Sequence, residues 1–389
     1  MSDAQQLFQI DDPELLANPQ PMYKGMRDAT PVVTIDGPVP FAIVTTDEAI
    51  RHVLRHHEVF SSGTDAVAIG QIRPLIPLQI DPPEHAKFRK ILDPLFSPKQ
   101  VATLEDRTRA LVRELIDAVV DARECNFHFA IAEPLPSTVF LQLLGLPTSR
   151  AKEFIALKDG IIRPPETDPE ARQRSVERTG RQIYAVLEEI VGAHQEAPQD
   201  DFISLFLDAE VDGHRLTPND VVDICYLFFL AGLDTVTASL DCMISYLAQH
   251  PARRQQLVDD PALIPHAVEE MLRWETPVAG VPRIAVEDTE IEGCPVAKGT
   301  IVTVILGSAN TDERSWDDPD TIDFEREGNR HIAFGGGVHR CLGSHLARME
   351  LRVALEEWHA SVPEYRLRDG LQLRYSPALR SVENLEIVW

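Results

Sequence analysis

The chain has 389 residues, 44% of them hydrophobic, with 62 acidic against 37 basic side chains and a formal net charge of −25. That acidity repels a phosphate backbone and excludes nucleic acid as the expected partner, while length and apolar content suffice for a sizeable core. Met1 to Asp12 is polar and acidic without an apolar span, so neither a leader nor a membrane anchor is expected; five cysteines without Cys-x-x-Cys spacing read as reduced thiols of a cytoplasmic protein.

No linker, low-complexity run or internal repeat divides the chain, which predicts one domain over 1–389. Pro31 to Asp36 and Phe41 to Thr45 read as a hairpin, and Thr46 to His57 as a helix. His52 and His56 lie four apart there, a spacing zinc accepts, but no third ligand accompanies them and they read as surface histidines. Ser62 to Ile80 is a loop, apolar at Val67, Ala68, Ile69, Leu75, Ile76 and Leu78, and carrying Arg73. A helix starting after Pro82-Pro83 places His85 and Arg89 on one face. Leu104 to Asp121 is an amphipathic helix with a stripe of Leu104, Leu111, Leu115 and Val119, and Leu135 to Leu144 is a helix stopped at Gly145 and Pro147.

Glu170 to Ala193 is a polar-faced helix, and Val221 to Leu247 an apolar helical stretch containing Ala231-Gly232-Leu233-Asp234-Thr235. On the helix from Ile264 to Trp274, Glu270 and Arg273 are three apart and can pair. Ile284 to Thr303 has strand-like runs separated by turns at Glu292-Gly293 and Lys298-Gly299, and Ser344 to Trp358 is helical. The fold class is therefore mainly α with a small β-rich lobe, from the N-terminal part and about 284–303.

Just before that last helix stands Phe-Gly-Gly-Gly-Val-His-Arg-Cys-Leu-Gly, Phe334 to Gly343. Three glycines let backbone approach a flat macrocycle, Gly343 opens space beyond the sulfur, and a cysteine at a helix N-terminus is biased towards thiolate. Phe334 can shield the sulfur, and both burial and N–H donors tune a metal bound there. A buried structural cysteine after a glycine-rich turn is the plainer alternative.

The segment resembles the cysteine loop of the cytochromes P-450, Phe-x-x-Gly-x-(His/Arg)-x-Cys-x-Gly, with Phe334, Gly337, His339, Cys341 and Gly343 all matching. The resemblance implies a cytochrome P-450 fold, with a long helix over the haem and the cysteine loop beneath it. It implies haem b (iron protoporphyrin IX) with Cys341 as the iron ligand. In the same terms, Asp234 and Thr235 form an acid-alcohol pair for proton delivery, Ala231, Gly232, Val278, Ala279 and Gly280 line the substrate pocket, and His85, Arg89, Arg283 and His339 match the haem propionates. Glu270 and Arg273 become a buried scaffold. Many members supply its third partner from Pro-x-Arg-Phe; here the chain reads Pro319-Asp320-Thr321-Ile322, and Arg326 or Arg330 is left to substitute.

The implied activity is a haem-thiolate monooxygenase that hydroxylates a C–H bond of a largely hydrophobic small molecule (terpenoid, steroid or fatty-acyl-like) with dioxygen. The chain has no nucleotide-binding motif for electrons of its own, so the resemblance implies a separate ferredoxin with a ferredoxin reductase. Arg107, Arg109, Arg113, Arg340, Arg348 and Arg352 are expected to form a basic patch that steers this acidic carrier, and Arg73 is either a partner for a substrate carboxylate or an exposed loop residue. Two other functions stay open: a hydrogen-peroxide-dependent peroxygenase, disfavoured by Asp234-Thr235, and a haem-binding sensor without turnover.

Overall fold

The computed structural model describes residues 12–389 except 36, 38, 65, 67, 68, 212, 377 and 378. Asp36, Val67, Ala68 and all but the last residue of the acidic amino-terminal stretch lie outside the described residues. Nine helices carry the argument: α1 (Asp47–Arg55), α2 (Glu84–Leu92), α3 (Glu105–Asp117), α4 (Ala151–Ile162), α5 (Pro169–Glu196), α6 (Pro218–Gly232), α7 (Thr235–Gln249), α8 (Ile264–Glu275) and α9 (Ser344–Ser361). Two compact units are distinguished: one of the described residues of Met1–Ser61 with Pro98–Leu135 and Thr235–Trp389, the other of Ser62–Ser97 and Pro136–Asp234.

The first unit holds a five-stranded sheet of β1 (Val32–Ile35), β2 (Phe41–Val44), β3 (Phe60–Ser61), β4 (Gly280–Ala285) and β5 (Ile301–Ile305), in the order β1-β2-β5-β4-β3. β5 runs parallel to β2 and antiparallel to β4. Strand alternation sorts its side chains onto two faces: Val32, Ala42, Val44, Val302 and Val304 share a core with Ala49, Ile50, Val53 and Leu54 of α1, whereas Val33 and Ile43 pack with Met26. The turn expected at Glu292-Gly293 joins Thr289–Ile291 to Cys294–Val296, and both of its residues have positive φ. In α3 the fully buried line is Thr108, Val112 and Ile116. The expected leucines flank it half-buried, because the stripe's centre lies one residue further along than its largest side chains.

The second unit is helical. Phe96, Phe140, Phe202, Phe206 and Phe228 meet edge to face in its core, the arrangement that aromatic quadrupoles favour. The long apolar helix expected over 221–247 is interrupted at Leu233 and Asp234, so α6 ends at Gly232 and α7 starts at Thr235. Gly232 is small for a packing reason: a Cβ there would overlap the Phe140 ring. By length and composition Pro218–Gln249 could cross a membrane, but 78% of its most apolar window is buried, as in a core helix.

Candidate active site

In the first unit, the cysteine loop is closed by its own backbone: the Cys341 N–H donates to the Phe334 carbonyl at 2.9 Å and the Gly335 N–H to that of Ile332 at 2.8 Å. Gly335 and Gly337 have φ of +68° and +65°, which only glycine takes without strain. A Cβ on Gly337 would also overlap the Leu54 carbonyl oxygen, whereas one on Gly335 or Gly343 would meet nothing within 4 Å. Gly343 is the N-cap of α9, so the free N–H groups of that helix start beside the sulfur. Of the five cysteines Cys341 alone is exposed. An exposed thiol, a glycine cradle with open space and a helix N-terminus fit a flat iron macrocycle bound through sulfur. Among the described residues no group of three or more His, Cys, Asp or Glu is arranged to hold a metal ion.

Behind the loop, Arg273 donates to both oxygens of Glu270 at 2.8 Å. It also donates to the carbonyls of Asn310, Pro319 and Thr321 at 2.9–3.0 Å. Of the two arginines left open as third partner, Arg326 fills the place, its Nε 3.0 and 3.1 Å from the Glu270 oxygens; Asn329 and the Asp323 N–H add two more bonds. The pair is 1% and 0% exposed. The adjacent Glu269 takes Arg348 at 2.6 and 2.8 Å and His331 at 3.0 Å. Burial would raise its carboxyl, but the hydrogen bonds from His331 and Arg348 hold it down to about 2.

Arg283 lies on β4, buried, and His339 in the short turn Gly337–His339. Val278, Ala279 and Gly280 are half-buried at the start of that strand. In the second unit, His85 and Arg89 are one turn apart on α2, His85 buried and Arg89 paired with Asp93 at 2.6 Å. Ala231 is exposed although Phe229, Leu230 and Leu233 around it are buried.

Asp234 is 0% exposed and pinned between Lys158 at 3.0 Å and Arg163 at 2.8 Å; it is not a surface acid. Lys158 also reaches Asp159, 42% exposed, at 3.0 Å, so charged groups run from the buried carboxylate to the surface. Burial would lower the Lys158 ammonium, but the Asp234 and Asp159 charges hold it above its usual value. Neither Lys158 nor Arg163 was singled out from sequence; a lysine buried on an apolar face of α4 was the available sign.

Two expectations are corrected. Arg73 is not an idle exposed arginine: half-buried, it pairs with Asp223 at 2.9 Å and lies 4.9 Å over the Tyr184 ring. The basic patch is largely cancelled. Arg109, Arg113 and Arg352 interlock with Glu105, Glu356 and Glu357 at 2.5–3.0 Å, three cations against three carboxylates, and Arg348 is taken by Glu269. Glutamates one turn away on α3 and α9, and on α8, supply the neutralising charge.

A family description of cytochrome P450 matches residues 18–261 and 254–358. The chain is 34% identical over 351 residues to "Probable cytochrome P450 127A1" of Sinorhizobium fredii, covering 89% of this chain and 83% of that one. It is 33% identical over 362 residues to "Steroid C26-monooxygenase" of Mycolicibacterium smegmatis, covering 92% and 88%. Among solved structures, CYP109E1 from Bacillus megaterium in complex with testosterone superposes with a TM-score of 0.91 at 27% identity, covering 97% of this chain and 99% of that one. With the loop, the scaffold and the mainly helical fold in place, these matches establish that the chain belongs to the cytochrome P450 family of haem monooxygenases.

Proposed function

We propose that this monooxygenase hydroxylates a C–H bond of a bulky, largely hydrophobic small molecule, steroid-, terpenoid- or fatty-acyl-like, using haem b, dioxygen and electrons from a separate ferredoxin and its reductase in the cytoplasm, with both compact units acting as one catalytic domain. The observation that carries the reading is the exposed Cys341 thiol in an open glycine loop. The small side chains of Val278, Ala279 and Gly280, the exposed Ala231 on an apolar helix, and relatives named for steroid chemistry support the substrate class.

In this reading the Cys341 sulfur holds the iron, Phe334 shields it and Gly337 lets the backbone come close; Arg283, His339, His85 and Arg89 are the cations and N–H donors for the propionates. The bound haem supplies reductive activation of dioxygen and insertion of one oxygen atom into a C–H bond. That chemistry consumes protons, and the chain's own contribution is to deliver them. Asp159 meets solvent, Lys158 Nζ bridges Asp159 and Asp234, and Asp234 precedes Thr235 in the chain. For Asp234 to carry a proton its carboxylate must let go of one cation, so the ladder acts as a gated donor and the Thr235 hydroxyl as the group that orders the final acceptor.

The test is a ligand screen by ferric Soret shift, followed by product analysis with a surrogate ferredoxin system. Steroid- or fatty-acyl-sized apolar ligands should give the high-spin shift and a product bearing one added oxygen. A shift confined to small polar molecules contradicts the substrate class; reductant consumption indifferent to substrate points to a sensor, and turnover with hydrogen peroxide alone to a peroxygenase.

A further inference from the structure

Resting on the haem-thiolate reading, we propose that Arg348 is a positioning residue for the Cys341 loop: gripped by Glu269 and stacked on Phe334, it braces the ring and the carbonyl that hold the sulfur in place. All the groups involved belong to the first unit. The Arg348 guanidinium lies 4.4 Å over the Phe334 ring, and its Nε and Nη2 donate to the two Glu269 oxygens at 2.6 and 2.8 Å. Glu269 also accepts from His331 Nε2 at 3.0 Å, and the Ala333 N–H donates to His331 Nδ1 at 3.2 Å. The same phenylalanine accepts the Cys341 N–H. One carboxylate on α8 therefore grips the chain on both sides of the loop, at 331 and at 348, with the Phe334 ring held between them.

The chemistry calls for arginine. Only a planar guanidinium can present a bidentate edge to a carboxylate while laying its face on an aromatic ring, and a partly desolvated cation–π contact is worth more than an exposed one. Arg348 and Glu269 are 27% and 29% exposed and His331 is 2% exposed. If the brace is removed, the Phe334 ring is free to turn, its carbonyl loosens from the Cys341 N–H, and water gains access to the sulfur–iron bond. Glu269 and Glu270 thus have separate tasks although adjacent: Glu270 with Arg273 ties down 310–329, and Glu269 ties down the loop itself.

The measurement follows the reduced carbon-monoxide complex of the haem-loaded protein over time, reading conversion of the red-shifted thiolate Soret band to the blue-shifted band of a protein that has lost thiolate ligation. Arg348→Gln should convert about tenfold faster than wild type, the order expected for losing a desolvated cation–π contact, with Arg348→Lys in between because it keeps charge but loses the planar stack. Phe334→Leu should match Arg348→Gln, and the double variant should be no faster than the faster single. Arg352→Gln, one turn along α9 in the neighbouring ion network, should convert at the wild-type rate. Wild-type conversion in Arg348→Gln, additive effects with Phe334→Leu, or equally fast conversion in Arg352→Gln would overturn the proposal. A wild-type protein that never shows the thiolate band overturns the haem-thiolate reading itself.

Discussion

Glu270 sits between Arg273 and Arg326, and Asp234 between Lys158 and Arg163, but the surroundings of the two buried carboxylates differ. Arg273 is also bonded to three backbone carbonyls and Glu270 to a backbone N–H, so each partner is fixed from several directions. The Asp234 cluster joins side chains of α4 and its C-cap to the second residue after α6, and it reaches the half-exposed Asp159. A charge locked to backbone is suited to scaffolding; one held by long side chains next to solvent can let go and return. The same chemistry of buried ion pairs thus serves rigidity in one place and, on the proposed mechanism, proton traffic in the other.

The largest expected effect comes from Arg273→Ala, which strands a buried carboxylate and three carbonyls. It should cost about 3–5 kcal/mol and leave little folded, haem-loaded protein, read by urea unfolding and haem content. If it folds normally, the scaffold half of the comparison fails. Asp234→Asn keeps shape and a hydrogen-bond acceptor, so it should cost less, about 1–3 kcal/mol, while slowing product formation about a hundredfold, the lower end of what removal of a proton-transfer group produces, and lowering product formed per reductant consumed. Thr235→Ala should divert reductant into hydrogen peroxide with haem content unchanged. Unchanged coupling in both variants would make the Asp234 cluster a second scaffold.

A third buried acid sharpens the contrast. Burial pushes the Glu350 carboxyl from 4.5 up to about 8. The folded state therefore keeps its proton while the unfolded state loses it, and stability falls as pH rises from about 4.5 to about 8. Glu350→Gln should remove that slope, matching wild type near pH 4 and exceeding it near pH 8 by roughly 3–5 kcal/mol, measured by denaturant unfolding at the two pH values. Glu269 has the opposite sign: held at about 2, it contributes stability present above 4.5 and lost as pH falls towards 2. The smallest effect concerns electron delivery. With Arg109, Arg113 and Arg352 matched by three glutamates, the rate of reduction by a ferredoxin should change less than about threefold between low and moderate salt; a steep fall would restore a steering role for arginines.

The parts of the molecule legible from sequence are those written in local pattern. The cysteine loop, the Glu270–Arg273 spacing, the β1–β2 hairpin and the Glu292-Gly293 turn all lie within a few residues of their partners. What escaped was long-range. Nothing local says that Lys158 and Arg163 meet Asp234 across more than seventy residues, that Arg73 meets Asp223, or that glutamates cancel an arginine row. Gly232 carried a local hint with a non-local cause, since the Phe140 ring that requires it lies on another helix. The interruption at Leu233 and Asp234 sits in a stretch whose apolar run reads as one helix, because hydrophobicity alone does not record where a helix's backbone pattern lapses.

The account rests on a sulfur–iron bond at Cys341, and the carbon-monoxide difference spectrum of freshly reduced, haem-loaded protein tests it most directly. Wild type should show the red-shifted Soret band of thiolate ligation, and Cys341→Ser should lose it. A colourless protein after supply of hemin, or a blue-shifted band in intact wild type, would contradict the account.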